Sequence, residues 1–367
     1  MRVLVVNAGS SSLKLTLLDR ENRAITSREL DAPRAQVDPE ELEGALSSQL
    51  GEADAIGHRI VHGGERYRHA VLIDAGVREA LGELVELAPL HQPKSLAALD
   101  SVSAALPGLP AVACFDTAFH ATLPAAASTY ALPAEWRERW GLRRYGFHGL
   151  SHGWVARRAP EMLAREPAGL RIVSCHLGSG ASLCAITDGR SLDTTMGFTP
   201  LEGLVMATRS GSVDPGMLLW LAGQEGLSIA EMEDALEHRS GLLGLAGSPD
   251  MREIVARAEA GDERARLGLD VYVHRLRGGI AAMAAALGGL DALVFTGGVG
   301  EHSAAVRSRA AAGLGFLGVA LNDAANRDTS GDVDVSADAA RVRTLVIAAR
   351  EDVEIARQTR AVLTPRQ

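Results

Sequence analysis

Residues 3–19 read VLVVNAGSSSLKLTLLD, and residues 172–189 read IVSCHLGSGASLCAITDG. Each is an apolar run, a tip of glycine and small polar residues, and a second apolar run. Four or more consecutive apolar residues flanked by turn residues mark strands buried on both faces, so each stretch is a hairpin inside a covered sheet. The two copies lie about 170 residues apart in a chain of 367. Repetition at half the chain length indicates an internal duplication. Two similar domains would then face each other, with the paired tips at a cleft where small-molecule sites concentrate.

The rest of the pattern agrees. Further strands read AIGHRIV (55–61), PAVACF (110–115), ALVFTG (292–297) and VRTLVIA (342–348). Helical patterns span 38–50, 77–87, 228–238, 263–287 and 304–313, and 322–340 reads as a surface loop. Alternation of apolar strands and helices predicts an α/β fold of two domains. The expected division is residues 1–120 with 352–367 as one domain and 121–351 as the other.

Composition narrows the function. The formal net charge is -9 and aromatic residues are 4% of the chain, which argues against a basic or base-stacking nucleic-acid surface. The longest apolar segment, GGIAAMAAALGGL (278–290), is too short and too weakly apolar to span a bilayer. MRVLVV is too short for a signal peptide, and three cysteines in apolar runs are not a disulfide framework. A cytoplasmic protein is expected, with no nucleic-acid or membrane partner.

Hydroxyls and glycines in a hairpin tip expose backbone N–H groups and side-chain donors that suit an anion. The phosphate-loop pattern GxxxxGK[ST] is absent. Three tips are candidates instead: NAGSSS (7–12), LGSGAS (177–182) and TGGVGEHS (296–303). The last follows an apolar strand and precedes an Ala-rich helix, whose N-terminus favours negative charge. Charged side chains and imidazoles also sit beside turns: Arg59 in GHRIVHGG, His91 in APLHQP, Asp116 and His120 in CFDTAFH, His148 in RRYGFHGLSH, and Arg209 in ATRSGSVDPG. Phosphoryl transfer passes through a loose state with charge on the equatorial oxygens, and positioned arginine and histidine donors stabilise that charge. A metal bridging phosphates needs only one or two carboxylates. Asp116 and Glu351, each after an apolar strand, are candidates.

These motifs, taken in order with DTTMGFTPLEG (193–203), SPDMRE (248–253) and FTGGVGEHS (295–303), resemble the acetate kinase family nearly end to end. The resemblance implies a duplicated actin-like, ribonuclease H-like ATPase fold with a nucleotide cleft between the domains. It implies reversible transfer of a phosphoryl group from ATP to acetate, directly and in line, with Mg²⁺ (or Mn²⁺ in its place), by a homodimer. Arg59 and Arg209 would hold the carboxylate and the moving phosphoryl group, and His148 would donate to its oxygens. His91 would position substrate, and Asp116 would orient the metal or an arginine. Asn7 and Glu351 would serve the metal, with Asp352 the alternative carboxylate. Ser10, Ser12 and Lys14 belong to the first phosphate tip. His176, Leu177, Gly178, Ser179 and Gly180 form the second. Asp250, Met251 and Arg252 lie near the adenosine, and Gly297, Gly298, Val299, Gly300 and Glu301 form a nucleotide loop. Val61, Leu90, Phe147 and Pro200 would surround the acetate methyl, a small pocket that favours acetate over propionate.

The sequence departs from the family pattern at Ser179 and His302, where asparagine is usual, and in AREDVEIAR (349–357). Serine at 179 keeps a donor but shortens its reach. The runner-up acceptors are propionate and other short-chain acids. A non-metabolic ATPase of the same fold would need the tips but not the Arg59, His148 and Arg209 set.

Overall fold

In the computed structural model, which describes residues 1–9, 12–31, 38–47, 49–87 and 92–364, β1 (Val3–Ala8) and β2 (Ser12–Leu18) form the first hairpin, with Ala8 opposite Leu13. β3 (Ala24–Asp31) continues the antiparallel meander. On the other side of β1 lie β4 (Ala55–Ile60) and β6 (Ala111–Phe115), both parallel to it, and the two-residue β5 (Val71–Leu72) closes the edge antiparallel to β6. The order is β3-β2-β1-β4-β6-β5.

The second sheet repeats this plan strand for strand. β7 (Ile172–Leu177), β8 (Ala181–Thr187) and β9 (Arg190–Thr194) make the meander. β10 (Ala292–Thr296) and β12 (Arg343–Val346) run parallel to β7, and β11 (Val333–Asp334) is the antiparallel edge. In each sheet the edge strand comes between the two parallel strands in sequence. The expected duplication is therefore present as a shared topology, the two-domain α/β build that the resemblance implies.

The chain forms two compact units. One comprises Met1–Ala121, Phe147–Trp154 and Arg350–Gln367; the other comprises Thr122–Gly146 and Val155–Ala349. In the first, alternate residues of β1 serve opposite faces. Leu4 and Val6 pack with Leu42, Leu46, Ala98 and Val102, whereas Val3 and Val5 pack with Val353, Ile355 and Ala356. Burial on both faces explains why β1 is apolar throughout. The helix Glu351–Leu363 approaches β4 closely at Gly57, where a Cβ would lie 2.6 Å from Ile355 Cγ2. That approach sets the start of the helix, and hence Glu351, beside the sheet. In the second unit the helix Glu263–Ala286 covers β7 and β8, with Gly279 against Leu183.

Several expected elements differ. The 38–50 helix ends at Leu46, and a 3₁₀ turn occupies Gln49–Glu52. The 77–87 pattern is an α-helix over Ala75–Glu83 followed by a 3₁₀ turn over Leu84–Leu87. The 322–340 segment is not simply a surface loop: it holds the helix Asp323–Arg327 and β11, and it buries Asn326 and Val335. TGGVGEHS is a short helix, Gly297–His302, rather than a turn. Cys114, Cys175 and Cys184 are buried free thiols, and burial pushes the Cys114 thiol up to about 12. Among the described residues no helix is long and apolar enough to cross a membrane.

Candidate active site

Parallel sheets place ligand groups at the carboxyl ends of their strands. In the first unit these ends supply Asn7 from β1, Arg59 from β4 and Asp116 just after β6. The register seats them side by side, with Val6 next to His58 and Ile60 next to Phe115. Arg59 donates from Nη2 and Nε to Asp116 Oδ2 at 2.6 and 3.1 Å. Its Nη1 donates to Asn7 Oδ1 at 3.1 Å, and Asn7 Nδ2 donates to Glu351 Oε2 at 3.3 Å. Burial opposes the Arg59 charge, but the carboxylates of Asp116 and Glu351 outweigh it and raise the guanidinium pKa above its ordinary value. Of the two C-terminal carboxylates, Asp352 is taken by Arg350, whose Nε and Nη2 donate to it at 2.9 and 3.0 Å. Glu351 is the one that reaches the Asn7–Arg59 cluster.

His148 belongs to the same unit and has φ of 56°, a left-handed backbone that a non-glycine residue rarely takes. Three contacts hold it. Gly149 N donates to the Asp116 carbonyl at 2.8 Å, His120 Nε2 meets the Phe147 carbonyl at 2.9 Å, and His152 N donates to the His148 carbonyl at 2.9 Å. A Cβ at Gly149 would collide with the Asp116 carbonyl, so glycine is required for this approach. His148 is therefore fixed beside the end of β6 by the backbone. Phe147 is buried with its ring edge-on to His62, and Val61, the neighbour of His62, is buried as well. Lys14 is paired with Asn7 across the β1–β2 hairpin, and directly opposed residues share a sheet face. Ser12 Oγ donates to Glu29 Oε1 at 2.6 Å. Ser10, Leu90 and His91 lie outside the described residues.

The second unit contains a cavity of about 570 Å³. Three segments distant in sequence line it: Gly178 and Ser179 at the β7–β8 tip; Asp250, Met251 and Arg252; and Gly298 and Val299. The sequence singled out all seven for a nucleotide. Ala207, Leu242, Pro249, Tyr272, His302 and Ser303 complete the wall. Asp250 caps the helix Met251–Glu259 and is ion-paired with Arg252 at 2.7 Å; the Arg252 hydrogen bonds hold its carboxyl down to about 2. At the tip, Gly178 N donates to the Gly180 carbonyl at 2.9 Å, and Ala207 N donates to the Ser179 carbonyl at 3.0 Å. His176 and Leu177 end β7, and Leu177 is buried. Glu301 does not line the cavity. Its Oε1 accepts from the N–H groups of Gly297 and Ala349 at 2.9 and 3.0 Å, bracing the loop. Gly300 is buried within that helix.

Arg209 also lies in the second unit. Its Nη1 donates to the Pro200 carbonyl at 2.7 Å, and its Nε stands 3.7 Å from Glu237 Oε2, beyond hydrogen-bond reach. Burial lowers its pKa from the ordinary arginine value. The geometry thus splits the anticipated residues into two sets: Asn7, Arg59, Asp116, His148 and Glu351 in the first unit, and Arg209, Pro200 and the cavity in the second.

Sequence reasoning missed Arg307. It is buried, with Nη1 donating to the Gly300 and Glu301 carbonyls at 2.8 and 2.7 Å and Nε to Asn326 Oδ1 at 2.7 Å. It caps the last carbonyls of the Gly297–His302 helix, as cations do at helix C-termini. An arginine in an Ala-rich helix a few residues after a glycine loop was the available signal. Ala207 and Pro249 adjoin motifs already noticed. Leu242 and Tyr272 carried no local signal.

The cavity of the second unit can bind a polyanion, and the first unit by itself presents an oriented guanidinium, an imidazole and a carboxylate. The comparisons bear on the chemistry. A sequence model of the acetokinase family matches residues 39–357. The acetate kinase of Nostoc sp. is 43% identical, the alignment covering 98% of each chain. The crystal structure of Porphyromonas gingivalis acetate kinase aligns at a TM-score of 0.90 and 37% identity, over 99% of this chain and 100% of that one. A propionate kinase structure from Francisella tularensis aligns at 0.91 and 34%, with the same coverage. With a family model matching most of the chain and relatives aligning along nearly its whole length, this chain belongs to the acetokinase family.

Proposed function

We propose that the protein reversibly transfers the γ-phosphoryl group of ATP to acetate, giving ADP and acetyl phosphate. The observation that carries the reading is the second-unit cavity, where the Gly178–Ser179 tip, the Asp250–Arg252 pair and the Gly298–Val299 turn line one space. Its volume is in the range of sites that enclose a nucleotide-sized ligand. Transfer is direct. A carboxylate oxygen of acetate forms a bond to the γ-phosphorus as the bond from that phosphorus to the β–γ bridging oxygen breaks, and the electron pair leaves with ADP. Arg59, oriented by Asp116 and Asn7, holds the acceptor carboxylate. Arg209 and His148 donate to the equatorial oxygens, where one arginine is worth on the order of 10³–10⁵ in rate. Lys14 and Ser10 supply further phosphate donors, joined by Ser12 when its hydroxyl turns from Glu29 to the phosphate. Val61, Leu90, Phe147 and Pro200 enclose the methyl group, and His91 helps position it.

Magnesium fits the donors of the first unit. It is commonly held by one or two carboxylates together with substrate phosphates. The Glu351 carboxylate, in contact with the Asn7 amide, offers that donor set, and manganese shares the preference for oxygen. When bound, the ion neutralises phosphate charge.

Trapping acyl phosphate with hydroxylamine in the presence of ATP and acetate tests the reaction. ATP turnover indifferent to carboxylate would defeat it. A second reading, propionate as the preferred acceptor, draws on the likeness to the Francisella structure. One methylene discriminates by only about 1–3 kcal/mol, so both acids should react and kcat/KM decides between them. A tenfold preference for propionate, about 1.4 kcal/mol, would replace the acetate assignment.

The working form is a homodimer in the cytoplasm. The helix Pro215–Gln224 is apolar yet buries none of its residues, and Leu219 and Ile229 are 75% and 80% exposed. Such a face fits a second copy. Buried, unbridged thiols fit a reducing compartment.

A further inference from the structure

Residues 195–203, TMGFTPLEG, follow β9 and contain no helix or strand. This strap carries Pro200, whose carbonyl is the only hydrogen-bond acceptor of the Arg209 side chain among the described residues. A long cation held at one point is placed only as well as that point is placed. What fixes the strap therefore bears on Arg209.

The strap is closed on itself through one carboxylate. Glu202 Oε2 accepts from the Tyr130 hydroxyl at 2.5 Å, and its Oε1 accepts from Arg144 Nη2 at 2.8 Å. Both partners also grip the other limb of the strap. The Tyr130 oxygen accepts from Phe198 N at 2.9 Å, and Arg144 Nη1 donates to the Thr195 and Met196 carbonyls at 3.1 and 3.0 Å. Tyr145 N and Gly146 N donate to the Gly197 carbonyl at 3.0 and 3.2 Å. A Cβ at Gly197 would collide with Glu202 Oε2 and the Tyr130 hydroxyl, so this limb lies directly against the carboxylate. Pro200 is buried in the turn between the two limbs. The antiparallel bridge of Thr129 with Arg143 joins the segments that bear Tyr130 and Arg144. Burial, with Glu202 beside it, raises the Tyr130 pKa, so the hydroxyl remains a donor. All of these residues belong to the second unit.

We propose that Glu202 is a positioning residue for phosphoryl transfer: with Tyr130 and Arg144 it locks the strap, and through the Pro200 carbonyl it aims the Arg209 guanidinium. A carboxylate suits the task because it accepts from a hydroxyl and a guanidinium at once, and charge-assisted bonds are the stronger kind. The effect on turnover, though not the placement of Arg209, rests on the phosphoryl-transfer reading.

A double-mutant cycle in kcat tests the route of action. Glu202→Ala alone should lower kcat by about 10²-fold, the loss typical of a reacting group misplaced from a distance, with the Kd for ATP unchanged. In an Arg209→Ala background the same substitution should lower kcat no further, because residues that act as one unit are not additive. A lower melting temperature in both backgrounds accompanies this and does not mimic it. An equal proportional loss of kcat in both backgrounds, or parental kcat in Glu202→Ala, overturns the proposal. If Glu202→Ala does not fold, Tyr130→Phe repeats the cycle, since it removes only the hydroxyl that joins Glu202 to Phe198. A crystal structure of the folded variant reads the placement itself. The Pro200 carbonyl should have left Arg209 Nη1, and a bond kept as in the parent overturns the proposal. A displaced Arg209 in a chain that forms no acyl phosphate upholds the positioning and counts only against the reaction.

Discussion

Asp116 holds Arg59 along one edge of the guanidinium: Oδ2 accepts from Nη2 at 2.6 Å and from Nε at 3.1 Å, and the carboxylate is 1% exposed. Asn7 accepts from the remaining Nη1. The cation is thus oriented before any substrate arrives, and an anion that meets it needs little reorganisation. The same aspartate fixes His148, because its carbonyl accepts from Gly149 N. One residue, placed by the end of β6, therefore aligns two of the proposed catalytic groups by different atoms.

Asp116→Asn separates those two roles. The carbonyl that positions His148 remains, but the buried guanidinium loses its counter-charge, a change that typically costs about 3–5 kcal/mol. We expect a clear drop in melting temperature and a fall in kcat of on the order of 10² or more, because misplaced reacting groups lose that much. Arg59→Lys should not restore activity in either background, since a lysine cannot reproduce the fork. Normal kcat in Asp116→Asn would show that the ion pair serves folding alone.

Arg209 is secured more weakly. Among the described residues its side chain makes one hydrogen bond, to the Pro200 carbonyl, and Glu237 stands at 3.7 Å. Arg209→Ala should therefore lose kcat by about 10³ or more while melting within a few degrees of the parent. The comparison of thermal unfolding with steady-state rates checks this. A large fall in melting temperature with turnover retained would make Arg209 a structural cation.

The two hairpins and the parallel strands were legible because these strands are buried on both faces, which leaves apolar runs such as VLVV and ALVF. β3 and β9, the third strands of the meanders, were not, since β3 is mostly exposed and β9 is short and polar. The two-residue strands β5 and β11 were not, since so few residues carry no period. The Gly297–His302 helix was read as a turn because glycine disfavours helices. It forms because tertiary partners close its ends: Glu301 Oε1 accepts from Gly297 N, and Arg307 takes the Gly300 and Glu301 carbonyls. Of the cavity's lining, the residues inside glycine-rich or Asp-x-Arg motifs carried a signal in the sequence, whereas Tyr272 and Leu242 reach it only through helix packing. The choice of Glu351 over Asp352 needed coordinates, because it depends on which carboxylate Arg350 claims.

Arg307 yields a separate expectation. Arg307→Met keeps the side-chain bulk but leaves the last carbonyls of the Gly297–His302 helix and Asn326 without their donor. Buried groups left unsatisfied cost about 1–3 kcal/mol each. The loop that bears Gly298 and Val299 should loosen, raising the KM for ATP several-fold with a smaller change in the KM for acetate, alongside a lower melting temperature. Equal changes in both KM values would argue that the variant has merely destabilised the whole chain.

His58 gives the fold an acid limit. It is buried in β4, its Nε2 has no partner among the described residues, and burial lowers its pKa to about 4. Burial lowers His62 to about 4 as well. In the unfolded chain both should titrate near 6.5, so between about pH 6.5 and 4 the unfolded state binds more protons than the folded one. Stability should be complete above that window, decline as the pH falls through it and level off below it, by on the order of 3 kcal/mol for each histidine. Urea unfolding near neutral pH and near pH 5 measures the slope, and His58→Leu should flatten it by roughly half. The leucine variant will start from a different stability, so the slope rather than the absolute value carries the test. An unchanged slope would mean that His58 finds a way to charge without unfolding.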